Sequence, residues 1–307
     1  MPSLRARLVE LALPLLGIKR FFSEPDKLDE RIAKLRRQAP IRPRAKWHRR
    51  FEITEVTTRG FPLVTISPKG GARPGAPHLL YLHGGGYVMD IAAVHWDTVC
   101  RLCEDLGASA SVPIYPLAPE VKATQTLAAM RNLYDELVQQ YGASSITVMG
   151  DSAGGGMTLA LAQAIANDGG ELPASLVLYS PWLDATASGE GQKAIEPKDR
   201  MLAIIGLEAC GNLYAGDLPL DDHRLSPLFG PLKGLPPMAI FAGTHDILVV
   251  DARRLAEKLE SPGMPDHRYH EYKNMFHVWM LLPIPEGRQT LEETVRFIRE
   301  KHEEMTQ

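Results

Sequence analysis

Cysteine is nearly absent: Cys100, Cys103 and Cys210 are the only three in 307 residues. An odd count without regular spacing excludes a disulfide framework and suits a reducing compartment. Cys100 and Cys103 form a C-x-x-C, but both fall inside the amphipathic run Val99 to Leu106, and no second Cys or His pair stands at zinc-ligand spacing. All three are expected as small buried apolar residues. Long apolar runs are missing too. The stretch Leu8 to Gly17, preceded by Arg5 and Arg7, has the start of a signal peptide, but Glu10 interrupts it and no small-residue cleavage site follows. It is too short to span a bilayer. It is expected instead as an amphipathic helix, with Leu8, Leu11, Leu15 and Phe22 buried against the body. Strong net charge is also lacking. A formal charge of −3 gives no general attraction to nucleic acid or to anionic membranes. With no N-x-S/T sequon either, the expectation is a cytoplasmic protein with no nucleic-acid partner and no stable membrane insertion; a homodimer is left open. Neither G-x-G-x-x-G nor Gly-Lys-Ser/Thr occurs, so no nucleotide loop is expected, and no metal or other cofactor.

What is present is ordinary globular composition, 45% hydrophobic and 23% charged, enough for one large α/β domain with an accessory lid. Residues 1–50 read as helix-rich. From Arg31 to Arg50 there are nine Lys or Arg and no Asp or Glu, most simply a solvated basic face, alternatively a collar for an anionic substrate or partner. Phe51 to Thr58 and Leu63 to Ser67 alternate apolar and polar, which predicts an antiparallel pair. The runs His78 to Leu82, Ala108 to Ile114, Ile146 to Met149, Leu176 to Tyr179 and Met238 to Ala242 are short and almost wholly apolar. Such runs predict parallel strands covered on both faces. Helical periodicity fills the gaps, at Val94 to Leu106, Thr124 to Tyr141, Ser152 to Asn167, Val249 to Leu259 and Thr290 to Glu303. The alternation predicts a mostly parallel sheet flanked by helices. The long segment 185–220 interrupts the rhythm. Its helical stretch Arg200 to Tyr214, with Met201, Leu202, Ile204, Ile205 and Leu207, reads as a cap insertion.

Three features carry chemistry. Gly150-Asp151-Ser152-Ala153-Gly154 follows a strand and opens a small-residue helix, the context in which a G-x-S-x-G turn projects a nucleophilic serine. His83-Gly84-Gly85-Gly86-Tyr87 follows another strand and can present free N–H groups to an oxyanion. The expected donors are Gly85, Gly86 and Ala153, with Gly84 less favoured, while His83 positions the loop. A serine nucleophile needs an imidazole, and the imidazole needs a carboxylate. Asp246 lies just past the strand Met238 to Ala242, ahead of Asp251 (within a helix) and Asp184 as alternatives. His277 lies in the loop after the last predicted strand, His267 to Tyr272, which itself holds His267 and His270; His302 lies near the end of the chain. His277 is therefore expected as base and Asp246 as its orienter. As a base it must be neutral, so activity should fall below an apparent pKa of roughly 6–7.

From about His78 to the last helix the chain resembles the hormone-sensitive-lipase-like family of bacterial esterases. The likeness rests on the glycine loop, GDSAG, Tyr115-Pro116-Leu117-Ala118-Pro119-Glu120, Tyr179-Ser180-Pro181-Trp182-Leu183-Asp184, Ser226-Pro227-Leu228 and Met275-Phe276-His277. Pro116 stands where the family usually has Arg, which removes one ion pair. The resemblance implies an α/β-hydrolase fold, with an eight-stranded sheet over 51–184 and 221–307. A helical cap would come from 1–50 and 185–220. It also implies carboxylesterase activity on short to medium, fairly apolar esters, without a cofactor. Tyr87, Trp182, Trp279 and Met280 are the expected pocket residues. A lactone hydrolase or small-ester deacetylase would use the same residues, and a non-catalytic receptor on this fold would lack His277.

Overall fold

The apolar runs become one sheet. Its strands are β1 (Phe51–Thr58), β2 (Phe61–Pro68), β3 (His78–Leu82), β4 (Ser109–Pro113), β5 (Ile146–Asp151), β6 (Ser175–Tyr179), β7 (Met238–Gly243) and β8 (His267–Tyr272). The computed structural model describes residues 1–73 and 75–306. Strand order is β1-β2-β4-β3-β5-β6-β7-β8. β2 runs antiparallel to both β1 and β4, and the six strands from β3 to β8 are parallel. The helices are α1 (Leu4–Ala12), α2 (Ile18–Ser23), α3 (Leu28–Leu35), α4 (Ala45–His48), α5 (Ala93–Leu106) and α6 (Ala123–Tyr141). They continue with α7 (Ala153–Asn167), α8 (Gln192–Ile195), α9 (Ile204–Ala215), α10 (Val249–Leu259) and α11 (Pro285–Thr306).

The two-residue period of a strand divides the interior into two cores. Leu80 and Leu82 of β3, Val148 of β5 and Ile240 of β7 point to the face covered by α6, α7 and α10. Leu79, Tyr81, Met149 and Phe241 point to the other, covered by α5 and α11. That two-sided burial is why these strands lack polar alternation. The crossover from β3 leads outward to β4, and the next returns past it to β5, so β3 and β5 are neighbours whose loops diverge. In open parallel sheets the crevice beyond the carboxyl ends of such strands is where ligands bind. Both glycine motifs sit there.

The N-terminal segment differs from its expectation. Phe22 is buried, but Leu8, Leu11 and Leu15 face solvent. The inner face of α1 is set by Ser3, Ala6, Glu10 and Leu13. Ser3 bonds Glu286, Glu10 bonds His245 at 2.6 Å, and Ala6 and Leu13 are buried. A periodic helix offers more than one stripe, and the body supplies polar partners and a close-packing site only to this one. In the insertion, Leu202, Ile204 and Leu207 are buried as expected, whereas Ile205 is exposed. The helix starts at Ile204 rather than at Arg200, because the Glu196 carboxylate accepts the Ile204 N–H.

The basic run is mostly a solvated face, part of it in ion pairs. Arg42 pairs with Glu55, Arg44 and Lys46 with Asp97, and Arg50 with Glu104. Exposed pairs of this kind are each worth about 0–1 kcal/mol. Arg36 does more: it donates to the Val88 and Ala118 carbonyls at 2.7 and 2.6 Å and pairs with Glu120. Glu120 thus has a guanidinium partner although Pro116 replaces the family's arginine. Among the described residues no helix is long and apolar enough to cross a membrane.

Candidate active site

Ser152 sits between β5 and α7 with φ 53° and ψ −121°, a backbone conformation that non-glycine residues seldom adopt. The surroundings hold it there. Its N–H donates to the Tyr179 carbonyl at 2.8 Å, and its own carbonyl accepts from Gly156 and Trp182. The flanking glycines are required by contact rather than by flexibility. A Cβ on Gly150 would lie 2.4 Å from the Gly154 carbonyl oxygen, and one on Gly154 would lie 2.0 Å from that of Leu82. The tight turn leaves Ser152 alone at the mouth of β5, at the positive end of α7.

Asp151 joins this elbow to the glycine loop. One carboxylate oxygen accepts the Tyr81 hydroxyl at 2.6 Å and the Gly84 N–H at 3.0 Å. The other faces His95 Nε2 at 3.3 Å. Because His95 Nδ1 accepts the Ala92 N–H, its proton lies on Nε2 and is donated to Asp151. Burial works against the Asp151 charge, but His95 and the Tyr81 hydroxyl outweigh it and hold the carboxyl below the usual range. Asp151 and His95 were not singled out from sequence; the signal available was only the acid inside GDSAG. Gly84 correspondingly leaves the set of oxyanion donors, since its N–H is already committed to Asp151. Gly84, Gly85 and Gly86 all line the cavity above Ser152.

His83 has the supporting place expected of it. It is fully buried, stacks on Tyr115 with ring centroids 4.2 Å apart, and bonds the Gly84 carbonyl through Nδ1. Burial keeps its pKa down near 4, so the ring stays neutral.

Asp246 and His277 come together from two loops. The loop after β7 is laced to the loop after β8: Thr244 N–H donates to the Tyr272 carbonyl, His245 N–H to that of Met275, and Asn274 N–H to the Thr244 hydroxyl. Gly243 permits the approach, as a Cβ there would stand 2.3 Å from the Met275 carbonyl oxygen. The result is a 2.7 Å hydrogen bond from His277 Nδ1 to Asp246 Oδ2, with the other Asp246 oxygen accepting the Leu248 N–H. His277 Nδ1 therefore carries the proton and Nε2 is left as the basic nitrogen. Burial disfavours a charged ring, but the attraction and hydrogen bond of Asp246, with the charges of Asp199 and Asp151 behind it, raise the His277 pKa above 6.5. His277 and Ser152 face the same cavity.

The alternative acids lie elsewhere. Asp184 pairs with Arg254 at 2.6 Å, and buried Asp251 contacts Gln192 and Arg254. His267 and His270 are on β8, with His270 stacked on Phe241, and His302 contacts the Gly75 carbonyl. A third acid was missed. Asp199, in the insertion, accepts the N–H groups of Met201, Leu202 and Ile247. Burial first, then the neighbouring Asp246 charge, push its pKa up to about 6. It ties the insertion to the Asp246 loop.

The cavity measures about 180 Å³ and is walled by Ile18 and Phe22 of α2, by Met201 and Leu202, and by Met89, Val94, Val278 and Leu281. Phe22 lies over the glycine loop, 3.4 Å from where a Gly86 Cβ would be. None of the four aromatic and Met residues expected in the pocket lines it. Tyr87 stacks behind the loop on Tyr214, with centroids 3.8 Å apart, and Trp182 bonds the Asp184 carbonyl. Trp279 is fully buried against Thr290, and Met280 borders a separate groove with Trp47 and Arg101. For Trp279 and Met280 the reason is the turn at Val278, φ 49°, after which Val278 and Leu281 reach the cavity instead.

The chain and its fold have counterparts among known proteins. Residues 79–281 match a family described as having the alpha/beta hydrolase fold. The chain is 33% identical over 231 residues to a triacylglycerol lipase of Mycobacterium tuberculosis, covering 75% of this chain but only 47% of that enzyme's length. It is 32% identical over 234 residues to an acetyl-hydrolase of Streptomyces hygroscopicus, covering 74% of this chain and 77% of the relative. A crystal structure of an esterase from the bacterial hormone-sensitive lipase family superposes with a TM-score of 0.74 at 30% identity, covering 88% and 89% of the two chains. The chain belongs to the α/β-hydrolase family, in its hormone-sensitive-lipase-like group of bacterial serine carboxylesterases.

Proposed function

We propose that the protein hydrolyses short- to medium-chain carboxylic esters by acyl transfer through Ser152, His277 and Asp246. The observation that carries this reading is the 2.7 Å Asp246–His277 bond, which leaves His277 Nε2 basic on the cavity that Ser152 enters. His277 takes the Ser152 proton as its oxygen attacks the ester carbonyl. The N–H groups of Gly85, Gly86 and Ala153 receive the oxyanion, and Asp246 stabilises the imidazolium. His277 then protonates the departing alcohol and activates water to release the acid. A hydroxyl-reactive fluorophosphonate should label Ser152 stoichiometrically, and nitrophenyl esters should turn over. Labelling elsewhere, or no turnover, overturns the assignment.

The pH profile follows from the raised His277 pKa. Only the neutral ring accepts the serine proton, so kcat/KM should fall toward acid with an apparent pKa above 6.5. A profile flat down to pH 5 would remove His277 as the base.

The cavity supports a preference for short acyl groups. Each methylene that fits adds about 0.8 kcal/mol, roughly fourfold in kcat/KM, until the wall of Phe22, Met201 and Leu202 is met. Longer chains should then lose rate. Phe22→Ala should move the optimum to a longer nitrophenyl ester. An unchanged chain-length profile in that variant would show that α2 does not bound the acyl site.

A further inference from the structure

The N-terminal helix leaves an apolar face uncovered. Leu4, Leu8, Leu11 and Leu15 stand at i, i+4, i+7 and i+11 and are 72, 58, 71 and 87% exposed, with Leu16 beside them at 67%. The helix is not loosely held. The Ser3–Glu286 and Glu10–His245 contacts and the buried Ala6 and Leu13 fasten its inner side, so the leucines are held outward. A contiguous apolar stripe presented this way on a soluble body marks a surface that meets another apolar phase.

Charge identifies the occupant. Arg5 and Arg7 are exposed between the leucines, and neither is in an ion pair among the described residues. The sole acid of α1, Glu10, is turned inward to His245. The outward side thus carries leucines and cations and no anion, on a chain whose net charge is −3. A second copy docked about a two-fold axis would bring two copies of this cation-bearing, anion-free surface together. An anionic phospholipid surface offers hydrocarbon for the leucines and phosphate for the arginines, the pairing used by helices that lie in the membrane interface. Position agrees with this: the stripe ends at Leu16, and Gly17 leads directly into α2, whose Ile18 and Phe22 wall the cavity.

We propose that α1 and the turn Leu13–Leu16 form a peripheral docking surface for anionic lipid bilayers. It would bring the cavity to the phase in which apolar esters dissolve; only that last clause rests on the esterase reading. The test uses full-length Ser152→Ala protein, so that binding is read without turnover, and co-sedimentation with vesicles of phosphatidylcholine alone or mixed with phosphatidylglycerol. Binding to the mixed vesicles is expected, and the triple variant Leu8→Ser, Leu11→Ser, Leu15→Ser should lower it by roughly tenfold or more. Arg5→Glu with Arg7→Glu, or high salt, should remove the preference for the mixed vesicles. In the Ser152 background the triple variant should keep its rate on a water-soluble nitrophenyl ester, since these leucines are outside the cavity and already solvated. Failure of the unsubstituted α1 to bind mixed vesicles, or equal binding by the triple variant, overturns the proposal. So does a solution dimer that the triple substitution converts to monomer. Absence of esterase turnover with intact vesicle binding would count against the catalytic reading instead.

Discussion

Replacing Ser152 with Ala should lower kcat/KM on a nitrophenyl ester by roughly 10⁴–10⁶ and abolish fluorophosphonate labelling, while folding is left intact. The substitution removes one oxygen from a buried residue whose main-chain bonds to Tyr179, Gly156 and Trp182 do not involve that oxygen. Alanine must also adopt φ 53°, a strain that serine already bears at this turn. The activity loss is therefore chemical, and thermal unfolding should move little. His277→Ala should be comparably severe, because Ser152 without its base is an ordinary alcohol. A Ser152→Ala protein retaining more than about a hundredth of the activity would place the nucleophile elsewhere.

The two buried acids beside His277 should separate cleanly. Asp246→Asn should cost roughly 10⁴ in kcat, because an amide at 2.7 Å from Nδ1 can present N–H and favour the wrong imidazole tautomer. Asp199→Asn should leave most of kcat, since Asp199 does not bond His277. It accepts backbone N–H groups at Met201, Leu202 and Ile247, and one amide oxygen can retain part of that. Its negative charge contributes to the raised His277 pKa, so neutralising it should shift the acid limb of the profile to lower pH. Measuring kcat across pH for both variants distinguishes the roles. An Asp199→Asn loss as large as that of Asp246→Asn, with no shift of the limb, would show that the insertion holds the orienting acid.

Much of the architecture was legible from one-dimensional pattern because the driving contacts are local or periodic. β3 and α10 fall on the residues that hydrophobicity marked, β8 falls on the extended segment His267 to Tyr272, and the glycine motifs occupy strand ends as their spacing required. Ser152, Asp246 and His277 could be singled out as candidates because chain order in this fold leaves few others; Ser152 and His277 line one cavity, and Asp246 bonds His277. Three things needed the third dimension. Which stripe of an amphipathic helix turns inward depends on partners 230 or more residues away: for α1, Glu286 and His245 selected Ser3, Ala6, Glu10 and Leu13 over the leucines. Which residues after His277 reach the cavity depends on a turn, since Val278 at φ 49° sends Trp279 and Met280 into other packing while Val278 and Leu281 line the cavity. The third is the polar bracing by Asp151, His95, Arg36 and Asp199. These side chains bond backbone groups and rings from distant segments, and such pairings leave no period in the sequence because each is set by where two loops happen to cross. Sequence alone determined the chemistry available at the ends of β3, β5, β7 and β8; packing decided which groups support it and which apolar surface stays in water.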